Sequence, residues 1–174
     1  IEKFFWDEEK GAYIDSFTSG RRNVTRHANI FAILFSIADG TKQEKILKNV
    51  LENNEIPAIT TPYFNFFELD VLCRMGKLAE VLDKIRAYWG GMLDLGAVTF
   101  WEEYDPSVPK EEQYDMYGDH FGKSLCHAWA ASPIYFLAKY YAGLDLVHKD
   151  GITYTLKPQM QYFTELDCTL PVGS

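Results

Sequence analysis

Cysteine is scarce in this chain of 174 residues. Cys73, Cys126 and Cys168 form an odd set without CxxC spacing, so no disulfide framework or cysteine zinc site is indicated. They read as buried thiols and leave the compartment open. Positive charge is also in deficit: 17 Lys and Arg face 25 Asp and Glu, a net charge of −8. That balance disfavours nucleic acid and anionic membrane as partners and suits a neutral substrate. No apolar run approaches the ~20 residues of a membrane-spanning helix. Metal-ligand spacing, a phosphate loop and a serine placed for Ser-His-Asp chemistry are all missing, so no cofactor is expected. The chain opens on Ile1 with no leader pattern, as expected of a processed chain or a piece of a longer one.

What is abundant is aromatic and apolar surface: 16% of residues are Phe, Trp or Tyr, and 47% are apolar. Rings serve either a thick core or a site for sugar faces and apolar ligands. Helical segments alternate in character. Apolar residues fall on nearly every side of 25–38, which predicts a buried helix ended by Gly40. Thr41 and Glu44 match a capping box for a helix to about Asn53, whose Ile46, Leu47, Val50 and Leu51 lie on one stripe. The pair then repeats. Thr61-Pro62 starts a ring-rich helix ended by Gly76, and 77–90 is one-sided again. Stacked helical hairpins are the expected architecture. A third inner helix is expected over 123–141, with Pro133 kinking it or starting it afresh.

The long connection 92–121 breaks this order, and loops of that length inside a helical domain are usually functional or mobile. It carries Gly96-Ala97-Val98-Thr99-Phe100-Trp101-Glu102-Glu103-Tyr104-Asp105, two adjacent carboxylates among rings. A carboxylate costs free energy to bury unless it is paired or used, which invites a catalytic reading. The bland alternative makes Glu102 and Glu103 loop acids, one capping a helix and one in water. Beyond Leu144 the period changes, and 152–156 and 163–168 read as strands of a sheet completed elsewhere.

The segment 96–102 is similar to the Gly-Ala-Thr-Thr-(aromatic or aliphatic)-Trp-Glu of the bacterial α-L-rhamnosidases of glycoside hydrolase family 78. Ser124-Leu125-Cys126-His127-Ala128-Trp129 resembles the stretch where that family places an active-site histidine. Thr61-Pro62-Tyr63-Phe64 resembles a family helix start, and Pro133-Ile134-Tyr135 to Gly143 its exit into a C-terminal β-sandwich. The resemblance implies a mainly α fold, part of an (α/α)6 barrel. Residues 1–143 would be its second half and 144–174 the first strands of the sandwich, with the rest of the polypeptide or another chain completing the barrel.

It further implies an inverting glycosidase acting on a carbohydrate substrate, a rhamnoside, with Glu102 as general base. The family's general acid lies upstream, and no position here matches it. Glu103 is a departure from the pattern and the runner-up base, otherwise a supporting or surface acid. The interval to His127 is longer than in relatives, through 106–120, which would reshape the aglycone side. His127 is expected to bind a sugar hydroxyl or orient Glu102, against the plain reading of a core histidine. Trp101, Trp129 and Tyr63 are candidate sugar-facing rings, each also readable as core packing. Two other functions stay open: another inverting (α/α)6 glycosidase of glucoamylase or trehalase type, and a non-catalytic helical-repeat module binding a glycan or peptide.

Overall fold

The computed structural model describes residues 1–146 and 153–169. The chain is mainly helical and divides into two compact units, residues 1–71 and residues from 72 onward.

The first unit opens with helix α1 (Glu2–Phe5) and a two-residue antiparallel pair, β1 (Trp6–Asp7) on β2 (Ala12–Tyr13). Helix α2 (Arg26–Leu34) buries Arg26, Asn29, Ile30, Ala32 and Ile33. Two of these are polar, and both make buried hydrogen bonds. The Asn29 amide accepts from the Tyr13 N–H (2.8 Å) and donates to the Tyr13 carbonyl (2.9 Å), stitching β2 to α2. Arg26 donates to Glu68 (3.0 Å) and to the Leu51 carbonyl (2.9 Å).

Helix α3 (Gly40–Ile46) runs on as a π-helical turn, Leu47–Leu51. Only Ile46, Val50 and Leu51 are buried in it, so the expected contrast between an inner α2 and an outer α3 is present. The boundary differs from expectation. Helix α2 stops at Leu34, and Ser36 takes the left-handed conformation (φ 56°). Gly40 begins α3, and its cap is Asp39, whose carboxylate accepts from the Lys42 N–H (2.9 Å), in place of the Thr41–Glu44 box.

Helix α4 (Pro62–Arg74) carries the unit boundary. Its N-terminal rings, Phe64 and Phe67, pack edge-on against Phe31 at 5.2 and 5.4 Å, while Tyr63 is exposed. Helix α5 (Leu78–Asp94) passes straight through Gly90 and Gly91, beyond the one-sided run expected over 77–90. Gly91 is there for room, because a side chain on it would strike the Tyr104 ring. The real stop is Gly96 at φ 93°. There the N–H groups of Gly96 and Ala97 return to the carbonyls of Leu93 (2.8 Å) and Met92 (3.0 Å), a Schellman closure.

The third inner helix is shorter than expected. Residues 123–127 are not helical, 128–130 form one 3-10 turn, and helix α6 begins only at Ser132 (Ser132–Phe136), extended by a π turn Leu137–Tyr141. Pro133 starts the helix afresh in its first turn. Ile134, Tyr135 and Leu137 are exposed, so α6 lacks the all-round burial expected of it. Residues 124 and 127 give their backbone groups to the 99–102 segment and cannot also join a helix. Cys126 is consequently exposed, as is Cys168, and only Cys73 is the buried thiol expected.

Strands β3 (Leu144–Leu146) and β4 (Tyr154–Leu156) pair antiparallel. Ile152 of the expected strand lies outside the described residues. The second expected strand, over 163–168, does not form: a β-prone run without a neighbouring edge has nowhere to send its N–H groups. A 3-10 turn (Met160–Tyr162) instead brings Tyr162 and Phe163 edge-on to the buried Tyr141 ring at 5.9 and 5.8 Å.

A candidate active site around Glu102

The Gly96 closure ends α5 and sends residues 97–102 back alongside 124–127. His127 N–H donates to the Phe100 carbonyl (2.9 Å), and Glu102 N–H donates to the Ser124 carbonyl (2.9 Å). Thr99 Oγ1 adds a bond to the Leu125 carbonyl. The two segments singled out in the sequence are therefore neighbours in space.

Glu102 is 8% exposed. Its Oε2 accepts from the Ser124 N–H (3.1 Å), and its Oε1 accepts from the Tyr117 hydroxyl (3.1 Å). Nδ1 of His127 stands 3.9 Å from Oε2, with the imidazole 28% exposed. The Trp129 indole N–H donates to the Glu102 carbonyl (3.4 Å), and its ring lies 4.1 Å from the His127 ring. Trp129 is 41% exposed, so part of its side chain beside the histidine is accessible. A buried carboxylate with one donor on each oxygen keeps a lone pair free on both, which is what a group that takes a proton from water needs.

Lys123 is buried beside these acids. Burial pushes its ammonium below the ordinary lysine range, and the charges of Glu103, Asp105, Asp115 and Glu102 oppose that shift. The hydrogen bond to Glu102 raises the Tyr117 phenol above its ordinary value.

Trp101 is 3% exposed, edge-on to Tyr114 at 5.5 Å; it backs the segment and offers no open face. Glu103 is half-buried, and the Lys123 ammonium feels its charge first among the acids. Tyr63 belongs to the N-terminal rings of α4, where its ring meets Phe67 at 5.7 Å. Tyr117 and Lys123 were not legible as site residues in the sequence. Ser124 belongs to the 124–129 motif, but its contribution is a backbone N–H that no side-chain pattern reveals.

The long connection is ordered by small devices. Gln113, buried, donates to the carbonyls of Asp105 (2.6 Å) and Val108 (2.8 Å), while Asp105 Oδ1 accepts from Ser107 N–H (2.9 Å). His120 Nδ1 lies 2.6 Å from Asp115 Oδ1. Among the described residues no group of three or more His, Cys, Asp and Glu stands ready to hold a metal, and no helix is long and apolar enough to cross a membrane.

The fold is rhamnosidase-like, and the likeness supports a protein of glycoside hydrolase type. The solved structure of a rhamnosidase from Klebsiella oxytoca with rhamnose bound is similar to 80% of this chain at 33% identity and a TM-score of 0.69. The chain spans 26% of that structure's length. No family model matches the sequence, and no curated protein matches it.

Proposed function

We propose that this chain is part of an α-L-rhamnosidase of glycoside hydrolase family 78, acting by inversion with Glu102 as the general base. Residues 1–143 would be the second half of an (α/α)6 barrel and 144–174 the opening of a β-domain. The rest of the polypeptide, or another chain, would supply the general acid. The observation that carries the reading is the Glu102 carboxylate itself: buried, hydrogen-bonded at both oxygens, and set beside His127 and the part-exposed Trp129.

Inversion needs a base that holds a water against the anomeric carbon, on the face opposite the leaving group, with ~6.5–9.5 Å between the two carboxyls. Glu102 would take the water's proton on a free lone pair as the water oxygen bonds to the anomeric carbon. The glycosidic bond breaks at the same time, and its oxygen leaves with the proton of the upstream acid. Ser124 N–H and Tyr117 O–H would hold the carboxylate in place through this step. His127 would bind a sugar hydroxyl, and Trp129 would face the apolar side of the pyranose, where the methyl of a 6-deoxy sugar adds contact. Trp101 and Glu103 would support the pocket from behind or from its margin.

The test is hydrolysis by the full-length protein of aryl α-L-rhamnoside against aryl α- and β-glucosides, with the first-formed anomer followed by NMR. Rhamnoside turnover giving the β-anomer first is expected. Preference for a glucoside transfers the reading to a glucoamylase- or trehalase-like enzyme, and no turnover of any glycoside leaves a binding module.

A further inference from the structure

Tyr117 occupies a position that its side chain does not suit. Residues 116–119 form a two-residue hairpin closed by reciprocal bonds, Met116 N–H to Asp119 O (3.0 Å) and Asp119 N–H to Met116 O (2.9 Å). Both central residues have positive φ, Tyr117 at 56° and Gly118 at 82°. That is the requirement of a type I′ turn, for which Asn-Gly is the favoured pair. Glycine meets it without strain at 118. A tyrosine at 117 carries a Cβ in the left-handed region and is strained there. Burial does not compensate, because Tyr117 is 82% exposed. A local rule broken without a packing gain points to function. The phenol's polar end touches one described side chain by a hydrogen bond, the buried Glu102.

We propose that Tyr117 is a positioning residue for Glu102: the turn at 116–119 exists to hold its hydroxyl on Oε1 and so fix the carboxylate's rotamer. The inference rests on the reading of Glu102 as general base. Ser124 N–H grips Oε2 from the backbone side, and Tyr117 grips Oε1 from the solvent side. With both oxygens held, the remaining lone pairs point in fixed directions, and a water bound there is aimed before the sugar arrives. The phenolic oxygen keeps lone pairs of its own, so it can accept from that same water.

The experiment compares wild type, Tyr117→Phe and Tyr117→Asn in the full-length protein, with aryl α-L-rhamnoside as substrate. Loss of one hydrogen bond to a charged group predicts a roughly tenfold fall in kcat for both variants with KM little changed. Asn suits the turn better than Tyr, so Tyr117→Asn should keep or raise the Tm while losing rate. [13Cζ]Tyrosine NMR supplies a readout independent of turnover, with Tyr117 assigned by its loss in Tyr117→Phe. Its titration midpoint should lie above that of free tyrosine in the wild type and fall back in Glu102→Gln. Unchanged kcat in Tyr117→Phe, a Tm that drops with the rate in Tyr117→Asn, or an ordinary midpoint in the wild type each overturns the proposal. A wild type that hydrolyses no glycoside overturns the base reading, and this inference falls with it.

Discussion

Replacing Glu102 by glutamine separates chemistry from architecture, because the site can accommodate the amide. The carboxylate accepts two hydrogen bonds, one from the Ser124 N–H and one from the Tyr117 hydroxyl. A backbone N–H can only donate, so the amide oxygen must face Ser124. The amide nitrogen then faces Tyr117, whose hydroxyl can rotate to accept. Every buried polar atom keeps a partner, and the unfolding free energy should change little. Lost is the capacity to take a proton. A positioned base contributes about 100-fold or more, or ~2.7 kcal/mol of barrier, and that loss should appear in kcat with KM nearly constant. Glu102→Ala is the contrast: it strands the Ser124 N–H and should cost about 1–3 kcal/mol of stability besides. Azide should restore part of the Glu102→Ala rate by replacing the activated water, giving an azido sugar of inverted configuration. Glu103→Gln should cost far less rate. Initial rates on aryl α-L-rhamnoside, with urea denaturation alongside, check all of this in the full-length protein. A Glu102→Gln enzyme of wild-type kcat, or a larger loss in Glu103→Gln, refutes the assignment.

Gly96→Ala forces a Cβ into a φ of 93° and should destabilise by about 1 kcal/mol or more, lowering kcat as well because the closure aims the 97–102 segment; denaturant titration and initial rates check it. Arg26→Met removes the cation from a buried pair at 3.0 Å and should cost about 3–5 kcal/mol, read by thermal or urea unfolding. Asp7 accepts the Lys10 N–H and is flanked by the Arg22 guanidinium at 2.8 Å, which hold its carboxyl below the ordinary aspartate value. Its contribution is therefore complete above the unfolded-state value near 3.8 and is lost as pH falls through the lower folded value. Asp7→Asn should be less stable than wild type at pH 7, with the gap closing below that range; unfolding curves at several pH values measure it.

The helices were legible in the sequence wherever burial is one-sided or all-round over several turns, as in α2, α3, α4 and α5. Their ends were less so. The run expected over 77–90 continues through Gly91, whose reason is the Tyr104 ring, a partner thirteen positions on that no local pattern announces. Ser36 closes α2 in a left-handed conformation usually left to glycine. Residues 123–127 have a helical apolar pattern, but their backbone is recruited by 99–102, a tertiary claim that outweighs propensity. The strand expected at 163–168 failed for a related reason, since strands are decided by available edges. At the site, the motif led to Glu102, His127 and Trp129. Trp101 belongs to the packing behind them, against Tyr114, and a ring beside a carboxylate looks the same in sequence whichever way it faces. Tyr117 was hidden in the long connection 92–121, where no sequence pattern singles it out.

Glu102 and Ser124 are joined twice: the glutamate's peptide N–H reaches the Ser124 carbonyl, and the Ser124 N–H returns to the glutamate's carboxylate. Everything Ser124 gives Glu102 comes from its main chain. Position 124 can therefore drift among many side chains over evolutionary time without loosening the acid, while proline alone is barred, having no N–H to offer. An anchor built in this way leaves little trace in sequence variability.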